Sequence, residues 1–457
     1  MALVGTLRPT TIARLNGALR RALTATFVVA ACSAAARGQG IFIPSVGPTN
    51  QSFGGAAAAA PIDAIGALNW NPATISGLRS SEVAFGLGLC LPTTSLESRV
   101  DANAFGPGLP PINLAGKSES EPGVCPVPTI GFTHRNQGSP WTVGLGIFGV
   151  GGFSANYASS TTNPVTMPQA TPATVIGGLG RIHAKAEIYQ VVPTVSYALS
   201  DQLSFGIAPV ITLANFSADP FFLGAPNDAN ADGYFTYGPG SGTRLAWGGG
   251  FQLGTYYITP SEFRFGLSYK SQAWMEPFRV NSQDELGLPT HFKYNFDLPS
   301  ITTFGVAYSG FERWLLATDI RYFDYANADG FSPAGFTPTA AVAGLGWKSI
   351  FSIAQGVQFD ATDRLTLRVG YSFNENPIRD AQAFFNVAST LIIQHWLSCG
   401  ATYRWNDRVS STIAYTHGFE NTVTGPLYSP LVGPVTGTAI TDRVSADILN
   451  AGITVNF

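Results

Sequence analysis

The residue types that most often perform catalysis are sparse in this chain and form no recognisable motif. Five histidines are spread from His134 to His417, and none has the spacing of a Ser/His/Asp site, a G-x-S-x-G turn or an H-E-x-x-H metal site. The string GLGIFG at 144–149 fits G-x-G-x-x-G. It lacks the strand-to-helix context and the acidic residue about twenty positions further on that a nucleotide site needs. The sequence therefore predicts no enzyme, no metal site and no cofactor.

Two arginines have the chemistry to bind an anionic group. The alternation of polar and apolar residues places Arg321 and Arg368 on the polar faces of their predicted strands. A guanidinium that is shielded from water can make two parallel hydrogen bonds to a carboxylate. The alternative is a charge network that braces neighbouring strands, and the residue types fit both roles.

Three cysteines follow the N-terminal region, and two of them are placed to pair. Cys90 ends the first predicted strand and Cys125 begins the second. Directly opposed residues of antiparallel strands lie about 4.5–5.5 Å apart at Cα, within the range that a disulfide spans. Two unpaired small apolar side chains are the alternative. Cys399 has the parity of an outward-facing residue.

The elements that position these residues are extended segments joined alternately by short turns and long loops. The six short turns are RNQGSP (135–140), LSDQ (199–202), TPSE (259–262), SGFER (309–313), DATDR (360–364) and WNDR (405–408). Seven longer stretches lie between the hairpins, the first of them near 92–123. Short turns on one side and long loops on the other are typical of an outer-membrane β-barrel. The count predicts an all-β fold, a fourteen-stranded antiparallel transmembrane barrel.

The last segment, SADILNAGITVNF, shows which face of a strand meets lipid. Leu449, Ile453 and Phe457 share one face, and Asn450 and Asn456 share the other. The same period of two recurs at 363–373 and 261–272. Strands of a membrane barrel alternate apolar-out and polar-in. We therefore expect the apolar set to face lipid and the polar set to face the lumen.

Composition and the N-terminus agree with export to a membrane. Charged residues make up 12% of the chain, about half the usual share of roughly 25%. Residues 1–36 read as a signal peptide, with four arginines before an apolar core and Ala34–Ala36 as a cleavage site. Lipidation at Cys32 is the alternative processing. A formal net charge of −3, more negative once those arginines are removed, argues against nucleic acid as a partner.

Residues 37–80 fit no strand, and they carry a family resemblance. This segment is rich in Gly, Ala and Pro and almost uncharged, which favours a plug inside a barrel formed by residues 81–457. Its Asn71-Pro72-Ala73 resembles the hatch motif of the FadL/TodX family of outer-membrane transporters for long-chain fatty acids and hydrophobic compounds. Residues 144–157, 264–272 and 346–424 resemble that family's strands. Val150 replaces the proline that is usual at its position.

The resemblance implies transport in the outer membrane of a diderm bacterium. Extracellular loops capture a hydrophobic ligand, a lumenal pocket holds it, and a kinked third strand releases it sideways as the hatch moves. The kink would lie at Gly149, Gly151 and Gly152; a strand that simply ends there is the alternative. The partners implied are a long-chain fatty acid or similar molecule and the outer-membrane lipids, with the protein expected to be a monomer.

The third and fourth long loops would form the capture surface. Their apolar residues are Phe216, Phe221, Phe222, Leu223, Trp274, Met275 and Phe278. Exposed apolar clusters on extracellular loops commonly mark binding sites, although the same side chains could pack together and stiffen the loops. The alternative functions are a diffusive porin, which leaves residues 37–80 without a role, and an outer-membrane lipid-modifying enzyme.

Overall fold

The structure is a computed structural model that describes residues 40–106, 113–172, 177–242 and 245–457. The predicted signal peptide and Cys32 lie outside the described residues. Among the described residues, no helix is long and apolar enough to cross a membrane.

Fourteen long antiparallel strands form one closed barrel, as the sequence predicted. They are β1 Glu82–Val100, β2 Cys125–His134, β3 Trp141–Tyr157, β4 Ile182–Ala198, β5 Leu203–Asp219, β6 Ala246–Ile258, β7 Phe263–Lys270, β8 Ile301–Phe311, β9 Trp314–Phe323, β10 Ile350–Asp360, β11 Leu365–Asn374, β12 His395–Arg404, β13 Val409–Gly425 and β14 Thr438–Asn456. Each strand pairs with its neighbours in the chain, and β1 pairs with β14 to close the ring. Closure removes the exposed edges that an open sheet would present to lipid.

The connections differ at the two ends of the barrel. Two to six residues join the strands at one end, and the long loops join them at the other. The loops contain short strands at Leu114–Glu119, Ser241–Gly242, Trp274–Met275, Phe278–Gln283, Pro289–Tyr294, Tyr428–Ser429 and Gly433–Pro434, and 3-10 helices at Tyr325–Asn327 and Asp380–Asn386.

The predicted alternation of faces is confirmed along the strands. On β11, Leu367 and Val369 are 43% and 54% exposed, whereas Arg368 between them is 7% exposed. On β14, Leu449 and Ile453 are exposed while Asn450 is buried. A protein in water would not leave so many large apolar side chains uncovered, but lipid covers them here.

The prediction that the first strand ends at Cys90 was wrong. β1 continues ten residues further to Val100 and pairs there with β14 on one side and with Leu114–Glu119 on the other. The polar TTSLESR stretch was assigned to a loop because it lacks an apolar outer face. Backbone pairing on both sides holds it as a strand beyond the apolar band.

Residues 40–80 lie inside the barrel and contact the wall on all sides; we call them the lumenal segment. They contain α1 Pro48–Ser52, α2 Ala64–Trp70 and a 3-10 helix at Pro72–Gly77, and nearly all of their side chains are buried. Glycines on the inner wall approach residues 48–73 of this segment so closely that a Cβ would collide with them. They are Gly86, Gly131, Gly144, Gly206, Gly254, Gly266, Gly305, Gly356, Gly370, Gly400 and Gly452. Eleven of the fourteen strands contribute one glycine to this belt.

Candidate functional site

Asn71 fastens the lumenal segment to itself and to the wall. Its Nδ2 donates hydrogen bonds to the carbonyl oxygens of Ala58 at 2.8 Å and of Thr255 on β6 at 2.9 Å. Its Oδ1 accepts one from the backbone N–H of Ala73 at 3.0 Å and so begins the 3-10 helix. Pro72 follows at the first helical position, where its missing N–H costs nothing. Asn71, Pro72 and Ala73 thus form one buried anchor.

Arg321 on β9 holds the other side of the lumenal segment. Its guanidinium forms an ion pair with Asp319 at 3.0 Å and donates to the carbonyl oxygens of Pro44 at 3.4 Å and Gly55 at 2.5 Å. The same group lies 3.4 Å from the ring centroid of Trp70, a cation–π contact. Arg321 is 1% exposed, and these contacts fit the alternative role of a brace between β9 and the lumenal segment.

Arg368 lies in a different region, a wide polar vestibule at the short-turn end of the barrel. Its Nε donates to Gln358 at 2.7 Å and its Nη1 donates to Thr402 at 2.6 Å. Arg321 and Arg368 therefore do not meet at one site. Neither guanidinium lines the apolar cavities described below.

Hydrogen-bonded pairing in the barrel wall is interrupted between β2 and β3. Their pairing ends at Thr129 and Phe148, and residues 125–128 of β2 pair only with β1. β3 continues along β4, with Val150 as an extra residue between Gly149 and Gly151. Gly152 has a φ of 144°, a backbone conformation that favours glycine. We call the unpaired stretch between 125–128 and 149–153 the window.

Two prolines make β2 a suitable edge for the window. Pro126 and Pro128 both face outward, and neither has an N–H to donate to a neighbouring strand. Proline within a sheet is confined to edges and bulges for this reason. On the loop side of the window, residues 120 and 121 connect β1 to β3. The Ser120 backbone N–H donates to the carbonyl oxygen of Thr94 on β1, and the Glu121 N–H donates to that of Asn156 on β3.

The start of the lumenal segment covers the window from inside. Ile43 donates its backbone N–H to Val150 at 3.0 Å, and Gly152 donates to Ile41 at 3.0 Å. Residues 41–43 thus form hydrogen bonds to β3 along the stretch where β2 forms none. These bonds are few, and they lie at the end of a segment, where local opening costs least.

A cavity lies behind the window, and we call it the window cavity. Its volume is about 1190 Å³ including its open mouth. Phe153, Ile188, Trp396 and residues 41–43 give it a mainly apolar wall. Trp396 on β12 reaches it from the opposite side of the barrel, which parity alone could not show.

Lys185 on β4 lines the window cavity, and so does Glu187 on the same strand. The Lys185 Nζ lies 2.8 Å from Oε1 of Glu187, so the cavity wall carries an ion pair, and both side chains are about half exposed or less. Sequence reasoning missed this pair, because residues i and i+2 of a strand share a face whether or not they interact. The signal that could have found it is the position of both residues beside the predicted kink, on the strand that pairs with β3.

A second cavity lies among the long loops, and we call it the loop cavity. It encloses about 650 Å³ and is almost entirely apolar. Four predicted capture residues line it: Phe216, Phe222, Leu223 and Phe278. Tyr294 contributes a phenol whose O–H donates to Gly330 at 3.1 Å. Burial raises the pKa of Tyr294, so this wall carries no charge at neutral pH.

The other three predicted capture residues lie outside both cavities. Phe221 is fully buried and packs against Phe216 and Phe292. Trp274 is exposed and pairs with β6, next to Met275, which packs on the core. The packing of Phe221 and Met275 fits the alternative interpretation, in which these side chains pack together and stiffen the loops.

The two cavities adjoin. Both are lined by Ile41, Phe153, Ala186, Ile188, Ala388 and Ser389. A mainly apolar path therefore runs from the loops to the window, and the ion pair of Lys185 and Glu187 lies at its window end.

The cysteines occupy the edge of this path. Cys90 and Cys125 are directly opposed in the β1–β2 ladder, and both line the window cavity with their sulfurs unbonded in this structure. Cys399 is exposed on the outside of β12.

Comparison with known proteins now assigns the family. The model of a family described as outer membrane protein transport protein (OMPP1/FadL/TodX) matches residues 27–457. The chain belongs to this family. It is therefore an outer-membrane β-barrel of the FadL/TodX transporter type. This agrees with the lipid-facing strands and the lumenal segment described above.

Relatives and solved structures extend the comparison. The long-chain fatty acid transport proteins of Salmonella typhi and Escherichia coli K12 are each 24% identical over 38% of this chain. The match spans 43% and 42% of their lengths, less than half of each. A Pseudomonas aeruginosa FadL homologue has a TM-score of 0.68 at 13% identity, covering 92% of this chain and 100% of its own. The P. putida toluene transporter TodX has a TM-score of 0.64 at 16% identity, covering 91% and 99%. These likenesses establish the shared fold.

Proposed function

We propose that this protein carries long-chain fatty acids or similar hydrophobic molecules through the outer membrane. The ligand enters the loop cavity, moves into the window cavity and leaves through the window into the hydrocarbon of the bilayer. The protein acts as a monomer surrounded by outer-membrane lipids, and it binds and releases the ligand without an enzymatic step. The observation that carries the proposal is the continuous apolar path that ends where β2 and β3 stop pairing.

Fatty acids are the favoured ligands within this class. The curated relatives are named for them, whereas one structural neighbour is a toluene transporter. Lys185 supplies a cation for a carboxylate head, and the apolar loop cavity supplies a wall for a chain. The whole transfer from outside water to the bilayer is favourable, because each CH₂ gains about 0.8 kcal/mol on leaving water for hydrocarbon.

Passage requires the lumenal segment to act as a hatch. Residues 41–43 cover the inner side of the window, so a ligand that leaves through it must displace them. The glycine belt and the Arg321 brace hold residues 44–80 more firmly than the bonds to β3 hold 41–43. We propose that only the first residues of the segment move in each transport event.

Phe222 provides a test of the loop cavity. Phe222→Ser removes a ring from its wall, and the lost apolar contact is worth about 1.5–3 kcal/mol. We expect oleate binding to the purified barrel to weaken by roughly tenfold or more.

Phe235→Ser is the matched control, because Phe235 is an exposed ring in the same loop that lines neither cavity. Equal oleate binding by both variants would contradict a ligand site in the loop cavity. Native mass spectrometry in mild detergent would identify the molecule that co-purifies with the unmodified protein.

A further inference from the structure

The outer end of β2 is held on one side only. Residues 125–128 pair with β1 but not with β3, and two of the four are prolines without an N–H. The inner half of the strand, from Thr129 to His134, pairs with both neighbours. Strand ends with few hydrogen bonds open at low free-energy cost. The outer end is therefore expected to fray unless something else restrains it.

Cys125 lies at this weakly held end. It is the first residue of β2 and the outermost one that pairs with β1, and its partner in the register is Cys90. Both side chains face inward and line the window cavity. Opposed residues of an antiparallel pair have Cα atoms about 4.5–5.5 Å apart, inside the range of about 4.4–6.8 Å that disulfides span.

We propose that Cys90 and Cys125 form a disulfide in the mature protein and that this bond fixes the outer end of β2 as a rigid edge of the window. The cross-link stands in for the hydrogen bonds that β2 does not make to β3. Ligand entry and the movement of residues 41–43 then take place on the β3 side. The bond itself does not depend on which ligand is carried.

The chemistry is thiol–disulfide exchange with a dithiol oxidant, a protein disulfide on the export route. The thiolate of one cysteine attacks the oxidant's disulfide, which forms a mixed disulfide and releases one oxidant thiol. The second thiolate then attacks the protein's own sulfur in that mixed disulfide and releases the second oxidant thiol. Two protons and two electrons pass to the oxidant. Bacterial export routes are oxidising enough for such bonds to persist.

Differential alkylation tests the bond. Protein taken from outer membranes is denatured and alkylated without reductant, and the cysteine peptides are then identified by mass spectrometry. We expect alkylated Cys399 and a disulfide-linked pair of peptides that carry Cys90 and Cys125. After reduction, all three should be alkylated. Full alkylation of Cys90 and Cys125 without reductant would overturn the proposal, and Cys399 controls for reagent activity.

Hydrogen exchange tests the restraint. Reduction of the folded barrel should speed exchange of the Cys125 and Val127 amides, since Pro126 and Pro128 have none, whereas Thr129–His134, which are paired on both sides, should keep their protection. Cys90→Ser should speed exchange of the same two amides without reductant. Unchanged exchange at Cys125 and Val127 in both experiments would show that the bond does not hold this edge.

Discussion

At the scale of single residues, Lys185 is the cation that the proposed ligand path offers to a carboxylate head, beside the Glu187 carboxylate in the same cavity. Its ammonium group forms an ion pair with Glu187 and is partly exposed. A carboxylate ligand can share this cation, whereas a neutral ligand gains nothing from it. We predict that Lys185→Met weakens oleate binding by about threefold to tenfold, since solvent screens a pair at such a site. Binding of methyl oleate, measured in the same titration, should stay unchanged.

Lys117→Met is the control for a general charge effect. Lys117 forms a similar pair with Glu119 on an exposed extracellular strand and lines neither cavity. If Lys185→Met weakened oleate and methyl oleate equally, the side chain would contribute apolar contact rather than charge. That result would favour a neutral hydrocarbon as the natural ligand.

Arg321 is the residue whose loss should most loosen the lumenal segment. Arg321→Met leaves the Asp319 carboxylate buried beside the backbone N–H groups of residues 57 and 58 without its cation. Removing one partner of a buried ion pair costs about 3–5 kcal/mol. We expect a lower urea midpoint and faster proteolysis within residues 40–80. Arg264→Met, which removes a bond to Ser309, should have a smaller effect on both measurements.

Residue types and parity predicted where these side chains point but not what they contact. Strand alternation placed Arg321 inward, which is correct. The role of binding a carboxylate ligand stays a prediction, beside the bracing contacts that Arg321 makes. Its partners Pro44, Gly55 and Trp70 belong to a segment more than 250 positions earlier in the chain. Contacts of that range are set by packing, which no local pattern encodes.

At the scale of elements, one extra residue in β3 coincides with the start of the window. Val150 is the residue by which β3 exceeds β4 between Gly149 and Gly151. A bulge of this kind bends a strand and ends its pairing on one side. We predict that deleting Val150 makes the β3–β4 register continuous, lets β3 follow β2 further and narrows the window. Uptake of oleate by intact cells should fall toward that of cells without the protein.

β13 offers a matched deletion. Its register also shifts by one residue, between Gly418 and Asn421 opposite β14, and the exposed Glu420 lies in that bulge. Deleting Glu420 straightens a strand that does not border the window. Loss of uptake in both variants, with equal amounts of folded barrel, would indicate that bulge deletions damage the barrel in general.

Elements near the membrane were predictable, and those beyond it were not. The turns and the period of two gave all fourteen strands because lipid imposes an apolar outer face on each. Above the apolar band this constraint disappears, so the end of β1 and the short loop strands carried no local signal. The bulge at Val150 lies within a glycine-rich string, which marks a possible bend but not its direction.

At the scale of the whole molecule, the wall and the lumenal segment are fitted to each other. The belt of eleven glycines leaves room for the backbone of the segment, and a side chain at those positions would occupy the same space. Close packing of this kind excludes water as well as ions, since protein interiors have few voids larger than a water molecule. We therefore expect the barrel to be closed to bulk diffusion, with the proposed apolar path beside β3 as the route for ligands.

This arrangement predicts how the protein should conduct ions. The unmodified barrel in a planar bilayer should carry little steady current, whereas a diffusive porin would carry much. Gly370→Val drives a side chain against the backbone of Gly54, so we expect the lumenal segment to be displaced and a steady current to appear. Gly249→Val is the control, because a Cβ there meets nothing within 4 Å. If correctly folded Gly370→Val carried as little steady current as Gly249→Val, the lumenal segment could not be what closes the lumen.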